Sequence, residues 1–176
     1  AESVTCIQRI GHMFFKIAVT YMNEGIWESA VKNLETAMRI YRNQPDYNLA
    51  MGQCYMEMGK VEEAVQYFGN VVRTKPKNVN GWIELLKCLY KTNCFEDGAE
   101  YADHALAMTN NKPIFIFYKS AFLLAMGKSK EAVLQLEAGM DKNPKLVKKL
   151  VDLNPSILQN QMIVDVIARF KRNKSF

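Results

Sequence analysis

The sequence predicts an all-α fold: a stack of antiparallel helix hairpins closed at its C-terminal end by capping helices. Three observations predict it. The chain aligns with itself at a spacing of 34 residues, its recurring small and large apolar positions fall at intervals of three, four and seven, and Gly or Asn returns at one column of every period. The alignment gives four ungapped segments, 11–44, 45–78, 79–112 and 113–146. Residues 1–10 extend the first helix, and residues 147–176 supply the capping helices and a basic tail.

Each segment reads as two amphipathic helices. The turn column holds Gly25, Gly59, Asn93 and Gly127, residue types that tolerate the left-handed conformation ending a helix. On the second helix one small column reads Ala30, Ala64, Gly98, Ala132 and another reads Ala37, Val71, Ala105, Gly139. Between them lie Leu34, Phe68, Ala102 and Leu136. The first helix carries a bulky column, Phe14, Asn48, Trp82, Ile116, and a second, Tyr21, Tyr55, Leu89, Leu123. Small residues let two helices approach closely, and large ones fill the space between hairpins. Pro45 and Pro113 open first helices, while Pro76 and Pro144 follow second ones. Beyond residue 142, Asn143-Pro144 and Asn154-Pro155 each offer a cap and a favourable first helical residue, which predicts a short helix over 145–153 and a longer one over 156–171. The longer helix carries the stripe Ile157, Met162, Ile163, Val166, Ile167 and Phe170, and two roles stand for it: a cover for the open end of the stack, or an element that faces a partner.

Composition excludes several classes. With 49% apolar residues, five Pro and nine Gly the 176-residue chain is neither disordered nor collagen-like. No apolar run reaches the roughly 18 residues of a membrane span, so the expectation is a soluble chain. The net charge of +5 is unevenly placed: residues 1–140 hold 15 basic and 15 acidic residues, and residues 141–176 hold eight basic against three acidic. Cys6, Cys54, Cys88 and Cys94 form no CxxC pair and lack His at zinc spacing, so they read as small buried residues in a reducing, cytoplasmic compartment, with no metal or other cofactor. The chain does not begin with Met, which leaves a processed end or a piece of a longer or exported protein open.

These columns resemble the tetratricopeptide repeat family over about 136 residues. The second segment matches best, with Met51-Gly52, Tyr55, Gly59, Ala64, Phe68 and Pro76. The third departs at Leu86, Gly98 and Asn110, the fourth at Lys119-Ser120. The resemblance implies a right-handed superhelical stack that acts as a scaffold or adaptor, holding a peptide or helix along a concave face built from first helices. By register that face comprises Phe15, Val19, Met22, Leu49, Gln53, Met56, Ile83, Lys87, Tyr90, Phe117 and Leu124, with Phe15, Met56, Tyr90 and Phe117 as anchors. A carboxylate-clamping mode is disfavoured, since Phe15, Val19, Ala50, Asn80 and Glu84 stand at its positions. A second reading leaves part of this face buried by neighbouring repeats or the C-terminal helix.

The expected partner is therefore a protein or peptide. The basic cluster of Lys142, Lys145, Lys148, Lys149, Arg169, Lys171, Arg172 and Lys174 makes nucleic acid or an anionic membrane an alternative, disfavoured because only Phe170 and Phe176 could stack on bases. Self-association through an exposed end of the stack is a third expectation. An enzyme is not expected. Glu62-Glu63 and Glu96-Asp97 look like paired carboxylates, but they open second helices, where the helix dipole favours acids. His104 near Glu100 and Asp103 has no nucleophile beside it in sequence.

Overall fold

The computed structural model describes residues 2–42 and 44–172, with side chains from residue 5 onward. Its α-helices are α1 (Glu2–Asn23), α2 (Trp27–Ile40), α3 (Pro45–Glu57), α4 (Val61–Thr74), α5 (Val79–Lys91), α6 (Phe95–Met108), α7 (Ile114–Ala125), α8 (Ser129–Lys142), α9 (Val147–Leu153) and α10 (Gln161–Arg172), and no strand occurs among the described residues. The chain divides into two compact units, residues 1–88 and 89–176, with the boundary inside α5.

The four turn residues do what their column predicts. Gly25, Gly59 and Gly127 have φ of 73°, 74° and 75°, and Asn93 has 59°. Each turn closes with the same pair of hydrogen bonds. The N–H of Gly25 donates to Met22 O at 3.1 Å and that of Ile26 to Tyr21 O at 2.9 Å. The pattern repeats at Gly59 and Lys60, at Asn93 and Cys94, and at Gly127 and Lys128. These bonds satisfy carbonyls that the end of the first helix would leave unpaired, and they reverse the chain so that the second helix starts at once.

In the first unit α1 packs on α2, α3 on α4, and α3 on α2. Ala18, Ala30, Leu34, Ala50, Met51 and Cys54 form one buried cluster, with Phe15, Tyr21, Met22 and Trp27 packed against it. A Cβ on Gly52 would lie 2.4 Å from the Phe68 ring, so the absent side chain is what lets that ring lie between α3 and α4. In the second unit the departures from the repeat pattern have local reasons. Gly98 of α6 takes the place of Ala because the Phe122 ring of α7 lies over it, 2.1 Å from where a Cβ would stand. Ser120 is buried and donates from Oγ to Ala132 O at 2.8 Å, tying α7 to α8. Lys119 faces α6, where its Nζ meets both oxygens of Asp103 at 2.7 and 2.8 Å.

The C-terminal segment departs from expectation. Residues 156–171 do not form one helix. A 3₁₀ turn over Pro144–Leu146 precedes α9, a second covers Pro155–Gln159, and α10 starts afresh at Gln161. Asn143 and Asn154 act as caps, accepting from the N–H of Lys145 and of Ser156. Asn160 then accepts from Met162 N at 3.0 Å, a third cap that starts α10. In 34-residue register α9 and α10 continue the first and second helices into a fifth period, with Leu150 below Ile116 and Phe170 below Leu136. Asn154-Pro155 interrupts that period, because proline cannot donate the N–H that would carry the helix on. The hairpin is replaced by a split arrangement in which α9 packs on α7 and α10 on α8. The expected burial of the cysteines holds for Cys54 and Cys88, whereas Cys6 is exposed and Cys94 partly so. Cys6 stands on α1 beside Ile7 and Ile10, which are also exposed.

Two substitutions test this packing. Gly98→Ala should destabilise the chain by about 1–3 kcal/mol through overpacking against Phe122, and the added change Phe122→Leu should recover part of the loss. Gly59→Ala should cost about 1–2 kcal/mol at its left-handed position, while Asn93→Gly should be neutral or stabilising. Urea unfolding midpoints read both, and an unchanged midpoint for Gly98→Ala would contradict the ring-over-glycine contact.

Candidate functional site

First helices present three columns on the side expected to bind: Phe15, Leu49, Ile83, Phe117; Val19, Gln53, Lys87, Ala121; and Met22, Met56, Tyr90, Leu124. Their spacing of four and three puts each helix's members on one face. The two units treat these columns differently.

In residues 1–88 the face is open. Phe15, Val19, Met22, Leu49, Met56, Ile83 and Lys87 are half-buried and Gln53 is exposed. Phe15 is held from two sides, stacked on Tyr47 with ring centroids 5.0 Å apart and on His12 at 5.8 Å. Met56 is steadied by Cys88, whose Sγ lies 3.2 Å from its Sδ. Lys87 is paired with Glu84 at 2.8 Å one turn earlier, so its charge is largely answered within the helix. The result is an apolar strip with a polar centre at Gln53 and Lys87.

In residues 89–176 the face is covered. The ring of Phe117, expected among the anchors, has no exposed surface. It lies against Gly139 of α8, where a Cβ would be 3.0 Å from it, and shares a core cluster with Ala121, Leu136, Met140, Leu150 and Ile157. Glycine at the second small column leaves room for a ring that Ala37, Val71 and Ala105 do not give. Leu124 and Tyr90 pack against the same cluster. The Tyr90 hydroxyl accepts from Asn154 Nδ2 at 2.9 Å, and its ring tilts against Phe95 and Phe122 at 5.4 and 5.6 Å. The C-terminal segment thus covers inner-face residues as well as packing on α8. Sequence spacing alone does not reveal this, because the cover depends on the break at Asn154-Pro155.

A second apolar surface lies on α1, where Ile7, Ile10, Met13 and Ile17 are exposed. The register equivalents of Met13 and Ile17 on α3 are Tyr47 and Met51, both buried where α3 meets α2. The basic cluster is partly answered. Arg169 pairs with Glu137, and Arg172 lines a shallow cavity with Asp165. Lys174 and Phe176 lie outside the described residues.

Reactive groups are dispersed. Glu62, Glu63, Glu96 and Asp97 stand in the first turns of α4 and α6. His104 Nε2 lies 3.7 Å from Glu100 on the helix surface. Among the described residues no three His, Cys, Asp or Glu side chains gather to hold a metal, and no helix is long and apolar enough to cross a membrane. Burial pushes the Cys54 thiol up to about 11, so at pH 8 only about one molecule in a thousand carries the nucleophilic thiolate. Alkylation of the native chain at pH 8, read by mass spectrometry, should therefore modify Cys6 well before Cys54, and Cys54 should react at a comparable rate only after unfolding. Equal native rates would contradict the burial.

The comparisons with known proteins bear on the repeat and the fold. Residues 45–78 match the tetratricopeptide repeat model. The TPR repeat-containing protein YpiA of Bacillus subtilis (strain 168) is 28% identical over 142 residues, which is 80% of this chain and 33% of that protein. The chain thus spans about a third of the length of this curated relative. MamA from Desulfovibrio magneticus RS-1 superposes with a TM-score of 0.69 at 14% identity, covering 94% of this chain and 97% of that one. TTC0263, a thermophilic TPR protein of Thermus thermophilus, gives 0.62 at 14% identity over 94% and 92%. YrrB, a TPR protein with an unusual peptide-binding site, gives 0.61 at 16% identity over 90% of each chain. The chain carries a tetratricopeptide repeat and has the fold of tetratricopeptide repeat proteins, which generally mediate protein–protein interactions and are generally non-catalytic.

Proposed function

We propose that this chain is a non-catalytic module that holds a protein partner, docking a helix or an extended apolar segment on the first-helix face of residues 1–88. The observation that carries this reading is the use of the same columns in residues 89–176. There Phe117, Ala121 and Leu124 share an apolar cluster with Leu150 and Ile157 of the chain's own C-terminal segment. The face is thus of a kind that accepts an apolar helical segment, and in residues 1–88 its counterpart keeps Phe15, Leu49, Met56 and Ile83 partly exposed. Methionines at Met22 and Met56 let such a face adapt to varied apolar side chains, because thioethers are flexible and polarizable. Gln53, exposed at the centre, can bond to the peptide backbone and so fix register. The peptide-binding site of YrrB, a protein of the same fold, supports a peptide as the class of ligand.

Selection from a random peptide display library against the whole chain tests this. Enriched sequences should carry apolar residues at helical or alternating spacing and should lose binding at least tenfold to the variants Leu49→Glu and Met56→Glu. Circular dichroism confirms that the variants fold. Failure to enrich any sequence, or enriched peptides that bind both variants as well as the parent, would overturn the proposal.

A further inference from the structure

The structure holds a cluster of charge that the net balance of residues 1–140 conceals. Arg39 and Arg73 occupy one register column, in the last turns of α2 and α4, and Arg42 follows α2 in the link to α3. All three line a single cavity of about 320 Å³ together with Asn48, Asn70 and Thr74. Among the described residues none of the three arginines is in an ion pair. Two are held by neutral partners instead. Arg73 Nη2 donates to Asn70 Oδ1 at 2.7 Å, and Arg39 Nη2 to Thr36 Oγ1 at 3.4 Å, the same i, i−3 arrangement in successive repeats. Asn48, 9% exposed, donates one amide hydrogen to Gln44 O and retains a second.

Basic residues in a last turn are ordinarily explained by the helix dipole. That accounts for Arg39 on α2 and for Arg73 on α4 taken singly. It does not account for Arg42, which lies beyond its helix, nor for all three facing one cavity. The dipole ends of α2 and α4 each contribute about half a negative charge, so three guanidinium groups leave an excess near two positive charges. Later repeats lack the arrangement, since Ala107 and Asp141 fill the column after Arg73.

We infer that this cavity is a binding site for a phosphomonoester dianion, separate from the first-helix face and independent of the function proposed for it. The charge matches, and guanidinium forks pair with tetrahedral oxyanions through two parallel hydrogen bonds. Asn48 is uncharged and keeps one amide hydrogen that can donate to the ion, while the Thr74 hydroxyl is committed to Asn70 O at 2.8 Å. A monoanionic carboxylate would leave a positive charge unanswered.

Backbone amide chemical-shift titration of the whole chain is the test. The soluble probes are inorganic phosphate and a phosphoserine peptide with its unphosphorylated form, with acetate as the monoanion. Vesicles containing phosphatidic acid, followed by co-sedimentation, distinguish a lipid headgroup from a soluble phosphate. Phosphate and the phosphoserine peptide should shift residues of the last turns of α2 and α4 and the first turn of α3. Arg73→Ala should weaken binding at least tenfold. Arg39→Lys with Arg73→Lys should weaken it severalfold although the charge is kept, and Lys148→Ala, which also removes one charge, should leave it unchanged. The inference fails if acetate binds as tightly as phosphate, if Lys148→Ala weakens binding as much as Arg73→Ala, or if neither the soluble phosphates nor the vesicles bind.

Discussion

A large ring lying over a residue with no side chain sets three of the helix contacts, within the α3–α4 and α7–α8 hairpins and between α6 and α7. Phe68 over Gly52, Phe122 over Gly98 and Phe117 over Gly139 each leave less than a normal contact distance for an added Cβ. Each pair draws two helix backbones together and fixes the rotation of both. Once that rotation is set, the columns three, four and seven residues away point where they do, and the inner face follows. The four positive-φ turns cooperate by returning the second helix within a few residues, before the ring contact could be lost to a longer loop.

Much of this is legible in the sequence because the period repeats the same physical problem four times. A turn needing a left-handed residue, a small slot and a large filler recur in register, and coincidence across columns identifies them. What is not legible belongs to single repeats. Gly98 in place of Ala is a departure until Phe122 is seen to come from the next hairpin. Phe117 reads as a lining residue until Gly139 is seen to make room for it. Asn160, which starts α10, escapes notice because the apolar stripe runs across it; the signal available is its position after Pro155, in a run already broken by proline. The arginine cluster is hidden for another reason. Arg39 and Arg73 share a column, but a sum over 140 residues that comes to zero hides charges that gather in space.

The two units show how one pattern can serve two ends. In residues 89–176 the C-terminal segment covers the columns through Leu150 and Ile157, and Asn154 fastens it to Tyr90. In residues 1–88 those columns stay partly exposed while the cavity at Arg39, Arg42 and Arg73 lies at the second-helix ends. Partner recognition and anion recognition would then draw on different helices, the first helices for the one and the ends of α2 and α4 for the other. Among the described residues every buried side-chain nitrogen or oxygen has at least one hydrogen-bond partner.

The break at Asn154-Pro155 also bears on how a periodic pattern can be interrupted. Each complete hairpin hands on to the next the surface that it received, so a repeat is a template for another repeat. The fifth period begins in register and then loses its first helix after two turns. Its second helix, α10, keeps Gln161, Asp165, Arg169 and Arg172 exposed. A single proline thus acts as punctuation in the pattern: it splits one hairpin into separate pieces without any change in the residues that came before.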